Sequence, residues 1–224
     1  MKAVLDRIFA RYSSWNRARK ARYIADFIAE RGVRSVLVVG VGRLSPTKSF
    51  EQAVERRIAD AVDLFITSGL ATEAPVPHWT YLTANGMNLP FPDDAFDLVF
   101  SNAVLEHVGD EHTQRRFVAE HVRVGRHFVL TTPNRWFPVE AHTRTVFRHW
   151  SAAWRARQRK FTRLVSRKEL DDLLTVPGHI RGHAWSPTFV AFGPTQPAPA
   201  TIDLTDRPVD LIAAEAAEAR LGRG

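Results

Sequence analysis

The chain has 224 residues, of which 45% are hydrophobic and 25% charged, with a formal net charge of +7; this suffices for one α/β domain with a buried core and is short for two. It contains no cysteine, which excludes a disulfide framework and any thiolate metal site. No apolar run approaches the roughly 20 residues that cross a bilayer, and the basic opening MKAVLDRIFARYSSW lacks the apolar core and cleavage site of a secretory signal, so a cytoplasmic location is expected.

The first thirty residues read as helix, with Val4, Leu5, Ile8, Phe9 and Tyr12 on one face and Ile24, Ala25, Phe27 and Ile28 continuing an apolar stripe. Gly32 is placed to close it as the left-handed residue just past a helix end. The β-branched run Ser35–Val39 predicts a buried strand ending at Gly40. Ser49 and Gln52 have capping-box spacing, ahead of a helical face of Phe50, Ala53, Val54 and Ile58. Residues 63–67 and 79–83 predict the second and third strands, and 96–100 the fourth. Asp110 caps a helix that turns Phe117, Val118, His121 and Val122 inward and stops at Gly125. Residues 127–130 predict the fifth strand. A second capping box, Ser166 with Glu169, opens a helix through Leu170, Leu173 and Leu174. Two short runs, 180–185 and 188–192, lie too close for a parallel crossover and predict a hairpin.

This alternation predicts an α/β fold: a Rossmann-like, mostly parallel seven-stranded sheet with helices on both faces and a C-terminal antiparallel hairpin strand. The chain divides into a helical segment (1–34), the sheet domain (35–193) and a Pro/Ala-rich tail (194–224) of little expected order. Within the domain, 135–168 is a basic, aromatic insertion.

The stretch LPFPDDAFDLVFSNAVLEHVGD (89–110) carries the most information. An apolar run at 96–100 ends at Ser101 and Asn102 and passes into Ala103, Val104, Leu105, Glu106 and His107, as in a buried parallel strand delivering polar groups at its carboxyl end. There, in open α/β sheets, ligands bind. The segment resembles the post-core signature of class I S-adenosylmethionine-dependent methyltransferases, in which LPF-x-D-x-x-FD leads into a strand and then LEHV. TTPN at 131–134 resembles the fifth strand of their small-molecule, type 11-like group. The resemblance covers roughly 35–134 and implies S-adenosylmethionine as cofactor and methyl transfer to a small-molecule acceptor. In the family a D-x-G-x-G-x-G loop cradles the methionine portion; here VVGVGRLS (38–45) has Val38 at the acidic position and Leu44 at the third glycine. The family's acidic residue for the ribose hydroxyls falls near Ser68 or Gly69, where no carboxylate stands. Asn85 replaces the aspartate that faces the adenine amine and keeps a carbonyl acceptor. The resemblance thus implies a cofactor cleft of Gly40, Val41, Gly42, Ser68, Asn85, Gly86, Met87 and Asn102. Two readings stay open, a working enzyme and a catalytically inactive methyltransferase-like domain with a binding or structural role. A nicotinamide-dependent oxidoreductase is disfavoured by the same missing ribose carboxylate and by the terminal hairpin.

Methyl transfer asks mainly for alignment of nucleophile and methyl, with a general base where the acceptor is a hydroxyl or phenol. His107, beside Glu106, is the candidate base; its alternative role is to order the loop at a helix start. His142 and His149 follow the fifth strand and could reach the same site. The chain has no HExxH, EF-hand or P-loop pattern, so no metal or phosphate loop is expected, and no GxSxG elbow. From 141 to 168 there are nine Lys/Arg and no Asp or Glu, with Trp150 and Trp154 one turn apart. This segment is expected to cover the cleft and to select an anionic or lipid-linked acceptor, with His142, Trp150 and Trp154 as substrate contacts. Two other readings are a lid held by both tryptophans and an interfacial helix meeting an anionic membrane. Nucleic acid is argued against by TTPN, which stands where amino-methylating nucleic-acid enzymes show N/D-P-P-Y/F. The acceptor and the oligomeric state are not set by the sequence.

Overall fold

In the computed structural model, which describes residues 2–41, 53–74, 76, 78–140, 145–158 and 162–193, the chain opens with helix α1 (Lys2–Arg31). The side chains of Val4, Leu5, Ile8, Phe9 and Tyr12 lie outside the description, as do Gly42, Leu44, the Ser49–Gln52 pair, His142 and the tail from 194. Gly32 ends α1 at a φ of 58°, a left-handed turn that glycine adopts without a Cβ penalty, and leads into β1 (Ser35–Val39). There follow α2 (Ala53–Ala59), β2 (Leu64–Gly69), β3 (Thr80–Thr83), β4 (Phe96–Asn102), α3 (Glu111–Val124) and β5 (Gly125–Pro133). The insertion forms a short ladder of β6 (Val139–Glu140) and β7 (Thr145–Val146), which the sequence does not announce, and α4 (Ala152–Gln158). Last come α5 (Arg167–Leu173), β8 (His179–Arg181) and β9 (Thr188–Gly193).

Seven strands form one sheet in the order β3-β2-β1-β4-β5-β9-β8. The first five run parallel; β9 lies antiparallel to both β5 and β8. Strand side chains alternate between faces, which sorts the core into two layers. Val36, Val38, Leu98, Phe100 and Val129 pack under Ile24, Phe27 and Ile28 of α1 and Val54 and Ile58 of α2. On the other face Leu37, Val39, Val99 and Leu130 meet Phe117 and Val118 of α3 and Leu170 and Leu173 of α5. Each such buried side chain contributes about 1.5–3 kcal/mol. The expected helices on both faces are present.

Local signals explain several boundaries. The Asp110 carboxylate accepts from the Thr113 N–H at 2.9 Å and starts α3, and Ser166 with Glu169 closes a reciprocal capping box on α5. The LPFPDD motif is held from α3: Arg123 donates to the carbonyls of Leu89 (3.0 Å) and Phe91 (2.8 Å) and to Asp93 (2.9 Å). Glu120 accepts the Leu89 N–H at 2.7 Å.

Other boundaries differ from the sequence expectation. β2 runs on to Gly69 and β5 on to Pro133, because β3 and β9 supply ladder partners along the added residues. The run expected at 180–185 stays a strand only to Arg181. Gly182, at a φ of 117°, turns the chain away, and the Asn134 amide of TTPN then holds the loop by donating to the carbonyls of Ala184 (2.8 Å) and Ser186 (2.9 Å).

Candidate cofactor cleft and its surroundings

The strand order reverses direction at β1 and β4, and the crevice outside the carboxyl ends of such a pair is where open α/β sheets bind ligands. A cleft of about 450 Å³ opens here, with Gly40 and Val41 after β1, Leu70 after β2, Asn85 and Met87 after β3, and His107 after β4 on its walls. Two glycines shape it. Gly40 has a φ of 86°, and a Cβ there would sit 2.6 Å from both methyls of Val104. A Cβ at Gly86 would sit 2.7 Å from the Phe117 ring. Only glycine lets the backbone pass at these separations. The N–H groups of Gly40 (2.8 Å) and Val41 (3.0 Å) both donate to the Ser68 carbonyl, folding the turn back onto the end of β2.

Of the residues expected to hold a cofactor, Gly40, Val41, Asn85, Gly86 and Met87 come together in this cleft, and Gly42 lies outside the described residues. The Asn85 side-chain oxygen, Oδ1, accepts the Met87 N–H at 3.1 Å, which leaves it one lone pair for a ligand.

Two expected residues are placed elsewhere. Ser68 is fully buried and donates to the Val38 carbonyl at 3.5 Å. Because β2 extends to Gly69, the residue at the lip is Leu70, 78% exposed, and no carboxylate lines the cleft among the described residues. Asn102 shares a strand face with Leu98 and Phe100, by the two-residue period of β4, and so points under α1 and α2. Its carbonyl oxygen accepts from the Lys20 ammonium (2.7 Å) and the Thr131 hydroxyl (2.8 Å), and its amide donates to Glu55 (2.9 Å).

Burial lowers Lys20 from 10.5 to about 8, against the pull of Glu55 and Glu106, and burial also raises the Glu55 carboxyl above its ordinary value. Sequence reading missed this cluster. Its signal was Lys20 standing one helical turn before Ile24 on the apolar stripe of α1.

His107 ends a 3-10 turn, Leu105–His107. Its ring lines the cleft, is 42% exposed, and lies 4.0 Å from a carboxylate oxygen of the buried Glu106. The other Glu106 oxygen accepts from the Thr132 hydroxyl at 3.2 Å. The turn is tied down from two sides: Gln114 of α3 donates to the Leu105 carbonyl (2.9 Å), and the Arg163 N–H to the Glu106 carbonyl (2.7 Å).

The insertion stands apart from the cleft; among the described residues none from 135 to 168 lines it, so the expected cover is not seen there. His149 is fully buried and its Nε2 donates to the Phe137 carbonyl at 2.8 Å. Trp150 packs against the rings of Phe147 (4.8 Å) and Trp136 (6.3 Å). Trp154 lies 6.1 Å from the His149 ring and walls a second cavity of about 270 Å³. His142 lies outside the described residues. Among the described residues no cluster of three or more His, Asp or Glu is placed for a metal, and no helix is long and apolar enough to cross a membrane.

Residues 37–127 match the family described as "Methyltransferase domain". No curated protein matches the chain. Among solved structures, a SAM-dependent methyltransferase from Archaeoglobus fulgidus is similar at 14% identity and a TM-score of 0.53, over 80% of this chain and 92% of that one. The N-methyltransferase NodS from Bradyrhizobium japonicum is similar at 14% identity and a TM-score of 0.50, over 84% and 96%. The YcgJ protein from Bacillus subtilis is similar at 18% identity and a TM-score of 0.49, over 70% of this chain, which spans only 66% of YcgJ's length. At these identities the structures bear on the fold alone, and the first two agree with its mostly parallel sheet and antiparallel strand at the C-terminal side. Family match and sheet order agree on the sheet core: residues 37–127 match a methyltransferase domain, and the sheet around them has the mostly parallel order of the similar solved structures.

Proposed function

We propose that the chain transfers a methyl group from S-adenosylmethionine to a small-molecule acceptor, with the adenosine end of the cofactor in the cleft at the carboxyl ends of β1 to β4. The observation that carries this reading is the pair of glycines, 40 and 86, which bare the backbone in the wall of a cleft at the point where the strand order reverses. The volume of about 450 Å³ falls within the range of roughly 300–1,000 Å³ usual for small-ligand sites. An apolar lining of Val41, Leu70, Met87 and Phe117 suits a flat heterocycle. Asn85 offers its remaining lone pair to an exocyclic amine.

When bound, the cofactor supplies a methyl group on a sulfonium, already a good leaving group. The protein's part is then to align the acceptor and to take its proton. His107 is placed to receive that proton, since its ring stands in the cleft wall, 4.0 Å from a carboxylate oxygen of the buried Glu106. Leu70 in place of a carboxylate forgoes charge-assisted hydrogen bonds to the ribose, about 1.5–3 kcal/mol, so affinity about ten- to a hundredfold below that of a carboxylate-bearing site is expected.

Calorimetric titration with S-adenosylhomocysteine tests the reading: saturable binding at one site per chain supports it, and no heat and no thermal shift at millimolar ligand overturns it. A second reading, a domain that keeps the fold without turnover, is favoured by that same absence of a carboxylate on the described cleft wall. It predicts either no binding in this titration, or binding with no S-adenosylmethionine consumed across a broad panel of acceptors.

A further inference from the structure

The second cavity, of about 270 Å³, lies within the insertion and has no part in the cofactor cleft. Three arginines, 135, 155 and 163, line it together with the Trp154 ring and the aliphatic Leu164 and Ala152. Two of the three guanidinium groups are partly neutralised. Arg135 pairs with Glu169 at 2.7 Å, and Arg163 lies 3.1 Å from Glu111 and 3.9 Å from Glu169. Arg155 has no carboxylate partner among the described residues; it donates only to the backbone carbonyls of His149 (3.3 Å) and Trp150 (2.5 Å). Those two bonds fix its fork and leave its charge uncompensated. Three cations face two carboxylates, and an indole and aliphatic groups supply the rest.

We propose that this cavity is the acceptor subsite for an anionic head group, a carboxylate or phosphate monoester on a small apolar or aromatic body. Guanidinium forks match both oxyanions in geometry, and the Trp154 ring offers a flat apolar face to the body of the ligand. The volume is just below the usual lower bound of about 300 Å³ for a whole ligand, so the cavity holds a small acid or one end of a larger one. Its position relates it to the chemistry. It shares no lining residue with the cofactor cleft, yet Arg163 belongs to its wall and fixes through its own N–H the carbonyl of Glu106, the residue before His107. The acid-binding site and the candidate base are thus joined at one turn. That the bound acid is the methyl acceptor rests on the methyl-transfer reading; that the cavity binds the acid does not.

The test uses fluorine NMR on the full chain with 4-fluorobenzoate and 4-fluorophenyl phosphate as probes and 4-fluorobenzyl alcohol as the uncharged control, with no cofactor present. Both anions should bind saturably and the alcohol about tenfold more weakly or not at all. Raising the salt to about 1 M, where screening reaches about 3 Å, should weaken the anions and leave the alcohol unchanged. Arg155→Gln should weaken the anions by about tenfold, with circular dichroism confirming the fold. The salt response of the native chain stands as an independent measurement if that variant misfolds. If only one anion binds, the head group is identified. Equal binding of acid and alcohol, or indifference to both salt and Arg155→Gln, overturns the proposal. S-adenosylhomocysteine binding without acid binding removes this subsite alone; acid binding without S-adenosylhomocysteine binding removes the methyl-transfer reading and keeps the subsite.

Discussion

Replacing Gly40 by alanine should unfold much of what the glycine turn holds, through two separable causes. A φ of 86° places a side chain in a region that non-glycine residues enter at a cost of about 1–3 kcal/mol. The new Cβ would also lie 2.6 Å from both Val104 methyls and 3.1 Å from its Cβ, and relieving such overpacking costs about 1–3 kcal/mol more. Together these give about 2–6 kcal/mol, a large part of the roughly 5–15 kcal/mol that holds a typical domain. Val104→Ala removes the two clashing methyls and leaves the backbone strain. The double variant should therefore recover only the steric share, a coupling of about 1–3 kcal/mol in a double-mutant cycle. Urea unfolding followed by tryptophan fluorescence measures all four proteins. A cost below about 0.5 kcal/mol for Gly40→Ala, or no coupling to Val104, would show that the close approach does not exist in solution.

Three further outcomes are expected. Since burial lowers Lys20 from 10.5 to about 8, the unfolded chain binds the extra proton between those values. Stability should then rise with pH from about 8 toward about 10.5, by up to about 3 kcal/mol from this group. Lys20→Met should flatten that rise in urea titrations at about pH 7.5 and about pH 9.5; an unchanged slope would contradict the assignment. Ser166→Ala removes the hydroxyl of the α5 capping box and should cost about 1 kcal/mol, with a loss below about 0.3 kcal/mol arguing against the cap. His107→Gln should leave S-adenosylhomocysteine affinity within a few-fold and slow methyl transfer to a hydroxyl acceptor about a hundredfold or more; equal loss of both would make His107 a binding residue.

What the sequence shows plainly is what its local chemistry decides. The limits of β1 are where its β-branched run starts and stops, and Asp110, Ser166 and Gly32 mark helix ends because each acts on groups within three residues. Ser68 shows how a small error grows. Ending β2 at residue 67 put its side chain in the cleft, whereas two more ladder residues carry the lip to Leu70 and leave Ser68 inside the sheet. Asn102 failed for a related reason: the period-two face of β4 turns it toward a lysine 82 positions earlier. The role of Asn134 as a clamp rests on carbonyls about fifty residues away, and no local pattern carries that distance. Gly40, Asn85, Gly86 and Met87 were legible because they sit in turns directly after strands.

The order in which the layers are joined bears on how this chain comes off the ribosome. α1 is made before every strand of the sheet, but part of the surface it rests on is made well over a hundred residues later: Val190 of β9 belongs to the same buried layer as Ile24 and Phe27, and Asn16 donates to the Thr188 hydroxyl across 172 positions. β9 also supplies the outer partner of β5. Until β9 has emerged, the helix lacks part of its seat and β5 presents an open edge, the condition in which nascent chains aggregate or recruit chaperones. Synthesis at about 5–20 residues per second makes that interval of order ten seconds or more. A fragment stopped at residue 127, where the family match ends, would lack most of β5 as well as β9 and would leave α1 permanently without that part of its seat.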